Sequence, residues 1–229
     1  MYPDKPKLER VPERSLFPAE NLLIERDVTV AAGGEMEVRE KFRLRGYYAM
    51  GWREWVSGVQ PSERLAAIQR FQSDSRWRVE EFTVEGMDDN SADLVFNFKY
   101  AMPPLATSAK PMSVIVPAIW EHEYLDAQFL KERRFPMELL HPVRIESRVK
   151  IQLPQAVGAS AFKAFERSAD SEFGKWKIAA SASPTDANVV TVDFEFQSPS
   201  GTYPAARYDE WQSFRSKVVE AWRQPLKLE

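Results

Sequence analysis

Between Phe135 and Pro154 the chain reads FPMELLHPVRIESRVKIQLP. X-Pro steps at Phe135-Pro136, His141-Pro142 and Leu153-Pro154 fence an alternating run in which Val143, Ile145, Val149, Ile151 and Leu153 share a parity. Proline brings no backbone N–H and drives the residue before it into an extended conformation. A strand fenced in this way has fixed ends, and proline chemistry predicts that it enters its sheet at an edge. β-rich sequence lies on both sides, which makes this stretch the joint of the chain.

The first half alternates clearly. Leu22, Ile24, Val28 and Val30 share a face that Arg26 interrupts, and Ala31-Ala32-Gly33-Gly34 turns the chain. Met36, Val38, Phe42 and Leu44 then oppose Glu37, Arg39, Lys41, Arg43 and Arg45. Two such runs around a Gly-Gly turn predict a hairpin with one wet face. Gly46 ends it, and Tyr47 to Val56 reads as aromatic and irregular. Pro61 to Gln72 is the first helix, with Ser62 as its cap and Leu65, Ile68 and Phe71 at helical spacing. Trp77 to Val84 is extended. Leu94, Phe96, Phe98 and Tyr100 alternate without fault, and Met102 to Pro111 reads as a linker or long crossing loop.

In the second half Ser113 to Val116 is a short strand stopped by Pro117, and a short helix is expected around Leu125 to Arg134. Phe173 to Ala180 and Val190 to Phe196 are half-buried strands, the latter setting Val190, Val192, Phe194 and Phe196 against Thr191, Asp193 and Glu195. From Ala205 to Arg223 an apolar stripe through Tyr208, Trp211, Phe214, Val218 and Trp222 predicts an amphipathic helix docked on a sheet and stopped by Pro225. The expected fold class is mainly β, α+β. It has two antiparallel β-sandwich-like modules, over 19–110 and 111–229, after an extended leader at 1–18. A short helix belongs to the first module and a packed C-terminal helix to the second.

Composition narrows the function classes. Cysteine is absent, so disulfides, thiolate metal sites and a cysteine nucleophile are excluded within these residues. A net charge of -3 gives no general pull toward nucleic acid, and no apolar run approaches the ~20 residues of a membrane span. The polar, proline-rich start lacks the apolar core of a signal peptide. No phosphate loop, nucleophile elbow or dinucleotide fingerprint is present, and two histidines make a nucleophilic triad hard to assemble. No cofactor is expected.

Two features could bind something. Arg39, Lys41, Arg43 and Arg45 form a basic stripe with about 6.6 Å between successive members. It would suit phosphates or an acidic partner, or else a solvated sheet face paired with Glu25 or Asp27 on the next strand. The stripe carries no aromatic residue on which a base could stack, which favours the second reading. Trp52 and Trp55 could form a platform for a sugar or a peptide if exposed, and are core anchors if buried. Glu121-His122-Glu123 has poor metal geometry on either a strand or a helix, and Asp88-Asp89-Asn90 lacks the spaced ligands of a calcium loop and is expected to be an Asx-type turn. No metal site is expected.

Gly34 to Val38 stands with Gly46-Tyr47-Tyr48-Ala49 and Trp52-Arg53, and Arg134-Phe135-Pro136 with Ile151-Gln152-Leu153-Pro154. Phe173-Gly174-Lys175-Trp176, Tyr208 to Phe214 and Pro225 to Leu228 complete the set. Together these segments resemble the β-rich region that follows the catalytic domain in bacterial transglutaminase-like cell-envelope proteins. The resemblance implies a domain of unknown function, an accessory part of a longer exported protein in the periplasm or envelope. Its partner would be the neighbouring transglutaminase-like domain or another protein. The family's catalytic residues lie in the other domain, and none carries over. The expected function is therefore non-catalytic scaffolding or protein interaction. The alternative is a carbohydrate- or peptide-binding module using Trp52 and Trp55, with a glycan as possible ligand.

Overall fold

A computed structural model describes residues 20–71, 77–104, 112–117, 133–155, 157, 159 and 162–228. The expected leader, most of the Met102–Pro111 crossing loop, most of the helix expected around Leu125–Arg134, and Glu121-His122-Glu123 lie outside these residues.

The fold is mainly β with helices, as expected. Glu20–Val30 (β1) and Met36–Arg45 (β2) form the predicted hairpin, with Val30 opposite Met36. Gly34, at φ 93, supplies the left-handed residue of its turn. Arg78–Glu85 (β3) and Leu94–Met102 (β4) follow. Met112–Val114 (β5) and Met137–Leu139 (β6) are short. Val143–Gln152 (β7), Phe165–Ser171 (β8), Gly174–Ala182 (β9) and Val189–Ser198 (β10) complete an eight-stranded sheet in the order β3-β4-β2-β1-β7-β10-β9-β8. Gly201–Tyr203 (β11) pairs with β6, and Leu226–Leu228 (β12) pairs with β5.

The two stretches expected as modules thus meet in one sheet. The ladder joining them, β1 with β7, is parallel rather than antiparallel. The proline-fenced strand is not at an edge, because β7 lies between β1 and β10. Pro142 and Pro154 fall just outside its span, so no ladder position lacks an N–H.

The helices bury one face of the sheet. Tyr47–Ser57 (α1) forms where the sequence read as irregular, and its Ala49, Arg53 and Val56 share an inward stripe. Gly46, at φ 84, breaks the chain out of β2 to start it. Arg64–Phe71 (α2) follows a 3-10 turn at Pro61–Glu63. Ser62 makes no capping bond, and Leu65 is exposed, while Ala67 and Ile68 face inward. Tyr208–Arg223 (α3) docks as predicted, with Phe214 over Phe196 and Trp222 over Phe194 at ring separations of 6.4 and 4.7 Å. Burying an aromatic or large aliphatic side chain is worth roughly 1.5–3 kcal/mol. The set Tyr208, Phe214, Val218 and Trp222 is therefore enough to hold the helix against fraying.

Candidate functional site: the open face of the sheet

The face of the sheet away from the helices is polar on every strand. Its residues follow from period-two alternation, because each inward apolar residue leaves its neighbours pointing out. The charge on this face is sorted by strand. β2 carries Arg39, Lys41, Arg43 and Arg45 against Glu37, and its neighbour β1 carries Glu25 and Asp27. β7 carries Arg144, Arg148 and Lys150 against Glu146, and its other neighbour β10 carries Asp193 and Glu195. β9 presents Lys175 and Lys177 and β8 presents Glu166 and Asp170. At the far edge β3 presents Glu81 and Glu85 beyond its bulge, while Arg78 is held by Glu80 at 2.6 Å. Neighbouring strands thus have opposite net sign except β4 and β2, and like charges lie directly opposite at two places. Glu146 of β7 faces Glu195 of β10, and Lys99 of β4 lies opposite Arg39 of β2. That like-charged pair is relieved by Glu80 and Glu37, 3.1 and 3.6 Å from the Lys99 ammonium.

The basic stripe seen in the sequence is one column of this pattern. Arg43 reaches Glu25 at 3.4 Å, Arg39 reaches Glu37 at 3.7 Å, and Arg45 donates to Asp93 at 2.7 Å. Across the sheet Arg148 donates to Asp193 at 2.6 Å and Lys177 meets Glu166 at 2.9 Å. The carboxylate partners push Arg45, Arg148, Lys177 and Lys99 above their ordinary pKa values. Lys99 and Arg78 together hold the Glu80 carboxyl below its own. Sign alternation between neighbours favours the observed strand order, since opposite charges on facing strands attract and like charges repel. Of the stripe, Arg43 meets the Glu25 that the sequence offered as a cross-strand partner, while Arg39 pairs within β2 and Arg45 with Asp93 just before β4.

The open face is not flat. A concavity of about 510 Å³ crosses from β3 to β7 past Lys99, Arg39, Lys41, Asp27 and Lys150. A second, of about 440 Å³, crosses from β2 to β9 past Arg43, Glu146, Asp193, Glu195 and Lys177. They adjoin at Glu25 and Arg148, so a polar trough runs obliquely over the sheet.

Trp52 and Trp55 lie elsewhere, on α1 over the helix-covered face. They are half-buried, meet edge-on at 5.5 Å, and Trp52 meets Phe96 edge-on at 5.4 Å. Both pack against the core. Arg53, between them, turns inward and donates to three backbone carbonyls of the β3–β4 connection, Gly86, Asp89 and Ala92, at 2.7–3.0 Å. In that loop Asp89 accepts from the Ser91 N–H and hydroxyl at 2.8 and 2.6 Å, which makes it the expected Asx turn. Among the described residues no group of three or more His, Asp or Glu could hold a metal ion, and no helix is long and apolar enough to cross a membrane.

Sequence reasoning missed a buried polar cluster. Arg26 and Glu40 are 1% and 3% exposed and form an ion pair across the β1–β2 hairpin. Tyr100 donates to the Glu40 carboxylate at 2.9 Å, and the Arg26 guanidinium donates to the Pro117 carbonyl at 2.6 Å. The signal was present. Arg26 breaks the apolar face of β1, Glu40 breaks that of β2, and the Gly-Gly turn sets them opposite each other.

Comparison with known protein families, with curated proteins and with solved structures gave no match.

Proposed function

We propose that this chain is a non-catalytic scaffolding or interaction module that seats a partner protein on the open polar face of its sheet. The observation that carries the reading is the trough of two adjoining concavities on a face that, among the described residues, no helix covers. Alternating positive and negative columns about 4.8 Å apart offer a partner both signs in a fixed order, which favours one register and one orientation over others. The partner to test first is the transglutaminase-like domain that the sequence resemblance implies, in an extracytoplasmic setting. The half-buried, mutually packed Trp52 and Trp55 favour a core role over a sugar platform.

The test is amine footprinting with an acetylating reagent, applied to the purified chain and to the cells that make it. Lys41 and Lys150 line the trough, and Lys163 is an exposed reference. Partner docking predicts that the two trough lysines react several-fold more slowly in cells, relative to Lys163. Equal relative rates in both settings would remove the reading. So would amide- or ester-cleaving activity of the purified chain that is lost when a trough carboxylate is replaced.

A further inference from the structure

Among the described residues the sheet ends in two edge strands, β3 and β8, and their charge says what can be added to it. On the open face β8 presents Glu166, Ser168 and Asp170, with no cation among them. β3 presents Glu81, Thr83 and Glu85 beyond its bulge. An edge strand is a template for another chain, and like charges set opposite each other oppose pairing. Edge-to-edge pairing of two β8 strands sets acid against acid, and so does pairing of β8 with β3 over Glu81 and Glu85, away from Arg78. In the self-pairing of β8 centred on Ser168, Glu166 of one copy falls opposite Asp170 of the other. No other register in which the open faces coincide brings a cation to either.

The two edges differ in form. The register of β3 shifts between Val79 and Glu81, a bulge that bends the strand and blunts its edge. β8 pairs with β9 in unbroken register over seven residues, from Phe165–Ala180 to Ser171–Gly174, and contains no proline. It is the cleaner template. Its inward positions, Phe165, Arg167 and Ala169, are an aromatic ring with a guanidinium 5.4 Å above it and a small residue. That surface can take small or apolar side chains from a neighbour.

We propose that the β8 edge accepts an extended segment of a partner protein with Lys or Arg at alternate positions, which adds to the sheet as a ninth strand. The choice follows from the column pattern. From β2 to β8 successive strands alternate in sign, and the next member after acidic β8 would be basic. The β8 edge adjoins the end of the trough at the Lys177–Glu166 ion pair, but the ladder it offers uses backbone groups of β8 that the trough does not.

The probe is a fluorescein-labelled seven-residue peptide with Lys at alternate positions and Val or Thr between them, titrated against the full chain at low salt by fluorescence anisotropy. Comparison peptides carry Glu in place of Lys, or keep Lys but are N-methylated at every residue. The fully N-methylated peptide retains the charge but has no N–H on either edge with which to form the ladder. The expected result is saturable binding of the basic peptide alone. Binding should weaken by about ten-fold or more in Glu166→Lys/Asp170→Lys, and stay unchanged in Glu81→Lys/Glu85→Lys. All four positions are solvent-facing and outside the core, so the variants should fold, and circular dichroism checks that they do. Absence of saturable binding overturns the proposal. Binding that survives N-methylation, or that survives reversal at Glu166 and Asp170, also overturns it.

Discussion

Removing the Glu40 carboxylate should cost this fold about 3–5 kcal/mol, because it breaks a buried ion pair by taking away one of its two members. Both side chains of the Arg26–Glu40 pair have no solvent-accessible surface. Glu40→Leu removes the anion, the acceptor of the Tyr100 hydroxyl and the main partner of the Arg26 Nε at once. With a urea m-value near 3 kcal/mol/M for a chain of this size, the loss is a fall of about 1–2 M in the unfolding midpoint. The decisive comparison is the triple variant Arg26→Met/Glu40→Leu/Tyr100→Phe, which replaces the three polar side chains by apolar groups of similar volume and takes the Arg26 donor from the Pro117 carbonyl. Desolvating an ion pair is itself costly, so the triple variant should lie within about 2 kcal/mol of the unmodified chain, above Glu40→Leu alone. The assay is equilibrium urea unfolding followed by Trp fluorescence. A loss under about 1 kcal/mol for Glu40→Leu would refute the reasoning, since the carboxylate would then be dispensable. A triple variant no more stable than Glu40→Leu would refute it as well.

Three further outcomes follow from local geometry. Arg53→Leu strips the Gly86 and Ala92 carbonyls of this donor and leaves the Asp89 carbonyl with the Ala92 N–H, and should destabilise the chain by about 2 kcal/mol, with hydrogen exchange rising first over residues 86–92; unchanged exchange there would count against the clamp. Gly51→Ala and Gly174→Ala should act in opposite directions. A Cβ at Gly51 in α1 meets nothing within 4 Å, so Ala gains about 0.5–1 kcal/mol of helix stability. At Gly174, φ is +140 and a Cβ would lie 2.1 Å from the Gln197 carbonyl oxygen, so Ala should cost more than Gly51→Ala gains; thermal unfolding reads both signs. Lys99, then Arg78, depress the Glu80 carboxyl, so its contribution is present above the unfolded-state value near 4.5 and is lost as pH falls through the lower folded value. Melting temperature should therefore decline less steeply on acidification in Glu80→Gln, and identical pH profiles would deny the contribution.

The strands with unbroken alternation were legible in the sequence. β2, β4 and β10 present an apolar residue at nearly every second position, and burial follows that period. β8 was not legible, because Phe165 and Ala169 are its only inward apolar residues and the rest of FERSADS is polar, as suits an edge. The position of β7 misled for a physical reason. Proline excludes itself from ladder positions, but prolines beyond a strand's ends say nothing about its neighbours. α1 was hidden because Tyr47 to Ser57 is rich in aromatic residues and contains Gly51, so local propensity argued against a helix that packing on β2 and β4 stabilises. The parallel β1–β7 ladder joins strands more than 100 residues apart and has no local signature at all.

The candidate site was legible as residues and not as a pattern. Arg39, Lys41, Arg43 and Arg45 stand out on one strand, and a row of cations alone suggests an external anion. Strand order changes that inference, because it sets acidic β1 beside basic β2 and repeats the contrast through β7, β10, β9 and β8. Each column could be read from the sequence, but only the order shows that they alternate. Once they do, most cations on the face have an internal anion, and a charged stripe stops being sufficient reason to expect a ligand. What remains for a partner is the relief of the face, where the trough exposes Lys41 and Lys150 beside Asp27 and Glu25, and the one place where the alternation has no next member, the acidic and unbulged edge at β8.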